Sequence, residues 1–198
     1  MSTIAIVYHS GYGHTRKQAE AVRSGAASVP GVEARLLKID AEGNLPEADW
    51  QTLNAADAII FGTPTYMGSV SWQFKKFADA SSKPWFTQAW KDKIAAGFTN
   101  SATINGDKLA TLTSLFTLAM QHGMIWVGTG MMPANTKSAT RNDVNYLGAF
   151  SGLMAQSPSD ASPEDGPLPG DLETARRFGA RIARTAHAIK HARETETA

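Results

Sequence analysis

The chain predicts an α/β protein built on a doubly wound parallel sheet, with helices on both faces. Three observations carry that expectation. Short continuous apolar runs recur (4-IAIVY-8, 57-DAIIFG-62, 93-KIAAGFT-99 and 124-MIWVG-128), as strands buried on both faces require. Segments of helical composition and spacing separate them, the signature of βα units. A turn rich in hydroxyls and glycine, 8-YHSGYGHTRK-17, leaves the first run and enters a helix, where open α/β sheets bind their ligands.

Taken in order, 3-TIAIVY-8 reads as the first strand and residues 15–28, rich in alanine, as a helix stopped by 30-PG-31. Residues 33–39 alternate, which suits a strand nearer the sheet edge. After a polar stretch and 51-QTLNAA-56 comes the third strand, 57–62. Val70, Phe74 and Phe77 stand at helical spacing within 70–81. Residues 93–99 read as the fourth strand, 109–123 as a helix ended by Gly123, and 124–128 as the fifth strand. Residues 129–156 hold a second apolar run, 147-LGAFSGLMA-155. Segment 157-SPSDASPEDGPLPGD-171 carries four of the nine prolines and reads as a loop. The last helix, 171–193, places Leu172, Ala175, Phe178, Ile182 and Ile189 along one face. Its basic residues Arg176, Arg177, Arg181, Arg184 and Lys190 read as a solvated face, and 194–198 as a frayed tail. The chain is therefore expected to form a single domain over 1–193, with an insertion around 129–170.

At 198 residues the chain suits one domain with a substantial core. The 19 basic and 18 acidic side chains balance to a net charge of +1, which argues against a nucleic-acid or anionic-membrane partner. With no cysteine, disulfides, thiol catalysis and a cysteine-held iron–sulfur cluster are excluded; the composition suits a reducing cytoplasm. The N-terminal apolar run lacks the basic flank and length of a signal segment, and no stretch approaches a membrane span. No metal-binding cluster is expected.

The opening turn can be tried against four phosphate-binding and catalytic templates. A P-loop ends in Gly-Lys-Ser/Thr, and 11-GYGHTRK-17 does not. A dinucleotide fingerprint fits Gly11 and Gly13, but Arg16 stands at the third glycine position; Asp40 would have to supply the ribose-binding acid. A nucleophile elbow is absent. The fourth template is a loop of hydroxyls and backbone amides capping a helix. Ser10 and Thr15 supply the hydroxyls, the glycines let the backbone approach, and the helix dipole favours an anion. An ordinary βα turn with a serine or threonine cap remains the alternative.

The run 10-SGYGHT-15 resembles the phosphate loop of the FMN-binding, flavodoxin-like NAD(P)H:quinone oxidoreductases of the WrbA type. Segment 61-FGTPTYMGSVSWQFKKF-77 resembles that family's second flavin loop, 83-KPWF-86 its substrate aromatic, and 119-AMQHGMIWVG-128 its helix end and fifth strand. The resemblance covers roughly residues 3–155. It implies a five-stranded parallel sheet in the order 2-1-3-4-5. It also implies non-covalent FMN, with NAD(P)H as co-substrate and a quinone as acceptor. The implied FMN contacts are Ser10, Tyr12, Gly13, His14 and Thr15; Pro64, Thr65, Tyr66 and Met67; and Asn100, Ser101, Ala102 and Thr103. His122 is implied at the flavin edge as the catalytic group, and Tyr12 and Trp85 as substrate walls. Relatives of this type form homo-oligomers, dimers or tetramers. Two departures stand out. Tyr66 and Met67 replace a basic–aromatic pair, and 99-TNSATINGD-107 keeps Gly106 alone where relatives are glycine-rich. The rival to the enzyme is a one-electron flavodoxin-type carrier that docks on protein partners. Such carriers are strongly acidic, and this chain is balanced.

Overall fold

The fold is that of a computed structural model, which describes residues 1–196. Its elements are β1 (Ser2–Tyr8), α1 (His14–Ala27), β2 (Val32–Lys38), α2 (Glu47–Ala55), β3 (Ala58–Tyr66), β4 (Ser69–Val70), α3 (Trp72–Ala80), α4 (Ser82–Phe86), β5 (Ile94–Ser101), α5 (Lys108–Gln121), β6 (Ile125–Trp126), β7 (Leu153–Gln156) and α6 (Pro169–Glu196). The sheet runs β2-β1-β3-β5-β6, every neighbouring pair parallel. Two-residue β4 only folds back on the end of β3. With β4 set aside, this is the order 2-1-3-4-5 expected above, and the alternating strand β2 is the edge.

The fifth position is shared. β6 pairs with the start of β5, Ile125 and Trp126 lying beside Ile94 and Ala95. The chain then leaves the sheet over 127–152 and returns as β7, pairing Leu153 to Gln156 with Phe98 to Ser101. The run 147–155 thus contributes a strand only in its second half. The insertion therefore restores main-chain partners along the end of β5 that reaches the ligand side of the sheet, where unpaired buried groups would be costly.

Alternation along each strand sends side chains to two cores. Ile4, Ile6, Ile60 and Phe98 meet Val22 of α1 and Phe178 and Ile182 of α6. Ala5, Val7, Ile59 and Phe61 meet Leu53, Phe74, Phe77, Trp90, Leu112 and Leu115 on the opposite face. Lys190 of the supposedly solvated basic face is instead tied down, donating to Asp57 Oδ2 at 3.2 Å and the Met1 carbonyl at 3.0 Å. Helix α6 continues through 194–196, the first part of the expected tail; residues 197–198 lie outside the described ones.

Helices α1 and α6 pack backbone to backbone. A Cβ on Gly179 would run into the Val22 carbonyl, and one on Gly25 into the Arg176 carbonyl. Neither obstacle is a flexible side-chain end, so the helices would have to separate. Gly179→Ala is therefore expected to destabilise the protein by about 2 kcal/mol despite alanine's better helix propensity. Urea unfolding measures this; an unchanged or higher midpoint would contradict the close crossing.

Candidate functional site

Because all the main strands are parallel, the loops after β1, β3, β5 and β7 emerge at one end of the sheet. They enclose a cleft of about 360 Å³, within the ~300–1,000 Å³ typical of small-molecule sites. Tyr12, His14 and Thr15 line it from the first loop, Pro64, Thr65 and Tyr66 from the second, and Asn100, Ser101 and Ala102 from the third. Ser157, Pro158 and Ser159 supply a fourth wall.

The first loop is built to receive an anion. Gly13 adopts φ 94° at the cap of α1, which turns the chain into the helix. Ser10 Oγ accepts from the amides of Gly13 at 3.2 Å and Arg16 at 3.1 Å. The first-turn amides of His14 and Thr15 are left without an intrahelical acceptor at the positive end of the helix dipole. No acidic side chain occupies that first turn. Ser10 and Gly13 thus shape the loop beneath the residues that line the cleft.

The second loop is locked to the first through a residue the sequence left unassigned. Buried His9 places Nδ1 2.8 Å from Ser71 Oγ, and the Ser71 amide donates to Thr63 Oγ1 at 3.1 Å. Burial, helped by the Lys38 charge, lowers the His9 pKa and keeps it neutral. At the cleft floor Thr65 Oγ1 lies 2.8 Å from Thr99 Oγ1 and donates to Thr111 Oγ1 at 2.8 Å, joining β3, β5 and α5. Tyr12, 78% exposed, and Tyr66 meet edge-on at the mouth, their ring centres 6.3 Å apart. Met67, at φ 47°, points fully into solvent and does not line the cleft.

The fourth wall was missed because proline-rich sequence between periodic segments carries no pattern of its own. His14 Nε2 lies 3.0 Å from the Ala161 carbonyl, and Ser157 Oγ donates to Asn100 Oδ1 at 3.2 Å. The 157–163 segment is thereby fastened to both the first and the third loops.

Besides Met67, two expected site residues lie at the far end of the sheet from the cleft of their own chain. His122 follows α5 at the amino ends of the strands, and β5 alone spans roughly 25 Å at ~3.3 Å per residue. It is buried against Trp90, ring centres 4.2 Å apart, with Nε2 2.9 Å from Ser81 Oγ. Trp85 stands beside it, its Nε1 donating to the Gln121 carbonyl at 2.9 Å. The placement of His122 at the flavin edge is therefore corrected within one chain. Thr103 lies behind the third wall, its carbonyl facing inward. Asp40 is spent on its own turn, accepting from the amides of Glu42 at 3.0 Å and Asn44 at 2.6 Å, so the dinucleotide reading loses its acid.

The residues present fit FMN. A helix start with free amides suits the phosphate, and the tyrosine and proline surfaces suit a flat ring. Buried Gln18 Oε1 has no partner among the described residues and offers one more acceptor beneath the first loop. Fold and cleft together define a flavodoxin-like FMN protein. Residues 8–138 match the family described as NADPH-dependent FMN reductase. The chain belongs to that family, which makes FMN its cofactor and NAD(P)H the reductant. It is 54% identical over 184 residues to Flavodoxin FldP of Pseudomonas aeruginosa, covering 93% of this chain and 96% of that one. It is 34% identical over 201 residues to an NAD(P)H dehydrogenase (quinone) of Geobacter sulfurreducens, covering 92% and 97%. The crystal structure of the flavodoxin, WrbA-like protein from Agrobacterium tumefaciens superposes with a TM-score of 0.74 at 53% identity, covering 95% of this chain and 99% of that one.

The burial of His122 also bears on stability. Ser81 Oγ donates to the Ala78 carbonyl at 2.6 Å, so His122 must donate from Nε2, leaving Nδ1 without a partner among the described residues. Burial lowers its pKa to about 4. Between the unfolded value near 6.5 and about 4 the unfolded chain binds the extra proton, so stability falls as pH falls through that window. The loss reaches about 3 kcal/mol at ~1.4 kcal/mol per pH unit. Urea unfolding at pH 7 and pH 4.5 should show a smaller pH-dependent loss in His122→Phe than in the wild type. An identical loss in both would contradict a buried neutral imidazole.

Proposed function

We propose that the chain is an FMN-dependent oxidoreductase that passes two electrons from NAD(P)H to a quinone. The net reaction consumes NAD(P)H, a quinone and a proton, and releases NAD(P)⁺ and a hydroquinone. Bound FMN supplies the hydride-accepting and hydride-donating chemistry. The residues do the rest. The His14 and Thr15 amides hold the phosphate. Pro64, Thr65 and Tyr66 form one wall of the ring site, with the backbone of Asn100, Ser101 and Ala102 beside its polar edge. Tyr12 and Tyr66 frame an open aromatic mouth where a flat nicotinamide and a flat quinone can stack in turn. The observation that carries this reading is that mouth: an anion-binding helix start beneath exposed aromatic surface, in one cleft.

We further place the protein in the cytoplasm, with residues 1–193 acting as one domain, and read it as a homodimer or homotetramer. Leu109, Phe116 and Met120 are exposed along one face of α5, with Trp85 and Phe86 beside them. That apolar surface suits a second copy better than water. Trp85 cannot reach its own cleft, so it keeps a substrate-wall role only by being presented to a neighbour's.

The second reading, a carrier serving protein partners, is favoured by one observation: the 54%-identical relative bears the name flavodoxin. Anaerobic stopped-flow absorbance separates the two. The enzyme reading expects FMN-loaded protein to bleach rapidly on mixing with NADPH or NADH, and to reoxidise on benzoquinone with no one-electron intermediate. Flavin that binds but ignores both nicotinamides would support the carrier and overturn the enzyme. A sedimentation mass of one chain would remove the oligomer.

A further inference from the structure

Behind the third wall of the cleft stands a buried cation that the function above does not use. Lys108, the first residue of α5, is 0% exposed. Its Nζ donates to Ser101 Oγ at 2.8 Å and to the Thr103 carbonyl at 2.6 Å. Ser101 Oγ donates to that same carbonyl at 3.1 Å, which closes a triangle around the ammonium. From the other side Gln156 Nε2 donates to the Ala102 carbonyl at 2.7 Å, and the Ser157 amide to the Ser101 carbonyl at 3.1 Å. The single glycine of this loop completes the wrap: a Cβ on Gly106 would collide with Ser101 Oγ and crowd Thr103 Oγ1. Ser101 and Ala102, both held this way, face the cleft.

An ammonium taken out of water is expensive unless a counter-charge meets it. Among the described residues, Lys108 Nζ bonds to neutral oxygens only. The nearby charges that act on it are Asp171 and Arg141, which are paired to each other at 2.8 Å and so largely offset. Burial lowers the Lys108 pKa to about 8, with Asp171 raising it and Arg141 lowering it, so the group is still mostly protonated at neutral pH. Hydroxyls and Gln156 could hold this loop at less cost. A charge kept here acts on whatever occupies the cleft one residue away.

We propose that Lys108 is the positioning residue of the third cofactor wall, and that its charge biases bound FMN toward the reduced form. The proposal rests on the FMN reading. At neutral pH, reduction adds two electrons and one proton and leaves the ring one negative charge richer. A buried positive charge behind its wall favours that state over the oxidised one.

Lys108→Met keeps the stem and removes the charge; Lys108→Gln keeps a polar end and serves if the methionine variant fails to fold. Two readouts are needed. Amide hydrogen exchange over 101–107 in flavin-free protein should quicken roughly tenfold in either variant, as loss of charge-assisted bonds implies. The midpoint potential of the FMN-loaded protein, by dye equilibration, should fall by roughly 30 mV, a tenfold weaker preference for reduced flavin. Wild-type exchange would overturn the positioning role. Faster exchange with an unchanged potential would overturn the charge effect and leave Lys108 a strut. A wild-type chain that takes up no FMN would contradict the flavin reading, while the exchange data would still decide whether Lys108 positions the loop.

Discussion

The site depends on one alignment: the amino end of α1 faces the space beyond the carboxyl end of β1. A parallel sheet forces this, because each strand's ligand end must hand the chain to a helix that runs back. Ser10 then sets which amides remain free, accepting those of Gly13 and Arg16 and leaving those of His14 and Thr15. No lysine is needed in the loop, since backbone dipoles already supply the positive potential. The other walls are fitted around this start. His9 and Ser71 latch the second loop, His14 latches the fourth, and Thr65, Thr99 and Thr111 fix the floor.

Much of this was legible in the sequence where period or turn chemistry carried it. Short apolar runs such as 57-DAIIFG-62, set between helical segments, suit strands buried on both faces, and a serine–glycine turn marks the start of a helix. What escaped the sequence depends on distance between elements. Residues 157–159 line the cleft because β7 completes the edge of β5, and that pairing follows an excursion of irregular chain. Lys108 and His9 were silent for the same reason: a single charged or imidazole side chain reveals burial only once its neighbours are placed.

His122 and Trp85 show the converse. Their surroundings in sequence match the family closely, yet α4 and the end of α5 place them at the far end of the sheet. Sequence resemblance fixes which residue occupies a position, but which cleft that position faces is a property of the packing, and of a second copy where one docks. The departures at Tyr66 and in the third loop also acquire a physical sense. Tyr66 supplies aromatic mouth surface beside Tyr12, and a loop with one glycine is braced by Lys108 and Gln156.

The phosphate cradle at α1 is tested most directly by comparing affinities for FMN and riboflavin, which share the ring and differ in the phosphate. Quenching of flavin fluorescence on titrating the flavin-free protein gives both constants. Two or more charge-assisted bonds to the phosphate predict that FMN binds at least roughly a hundredfold more tightly. Equal affinities would mean that the start of α1 holds no phosphate, and the account of the site would fail at its base.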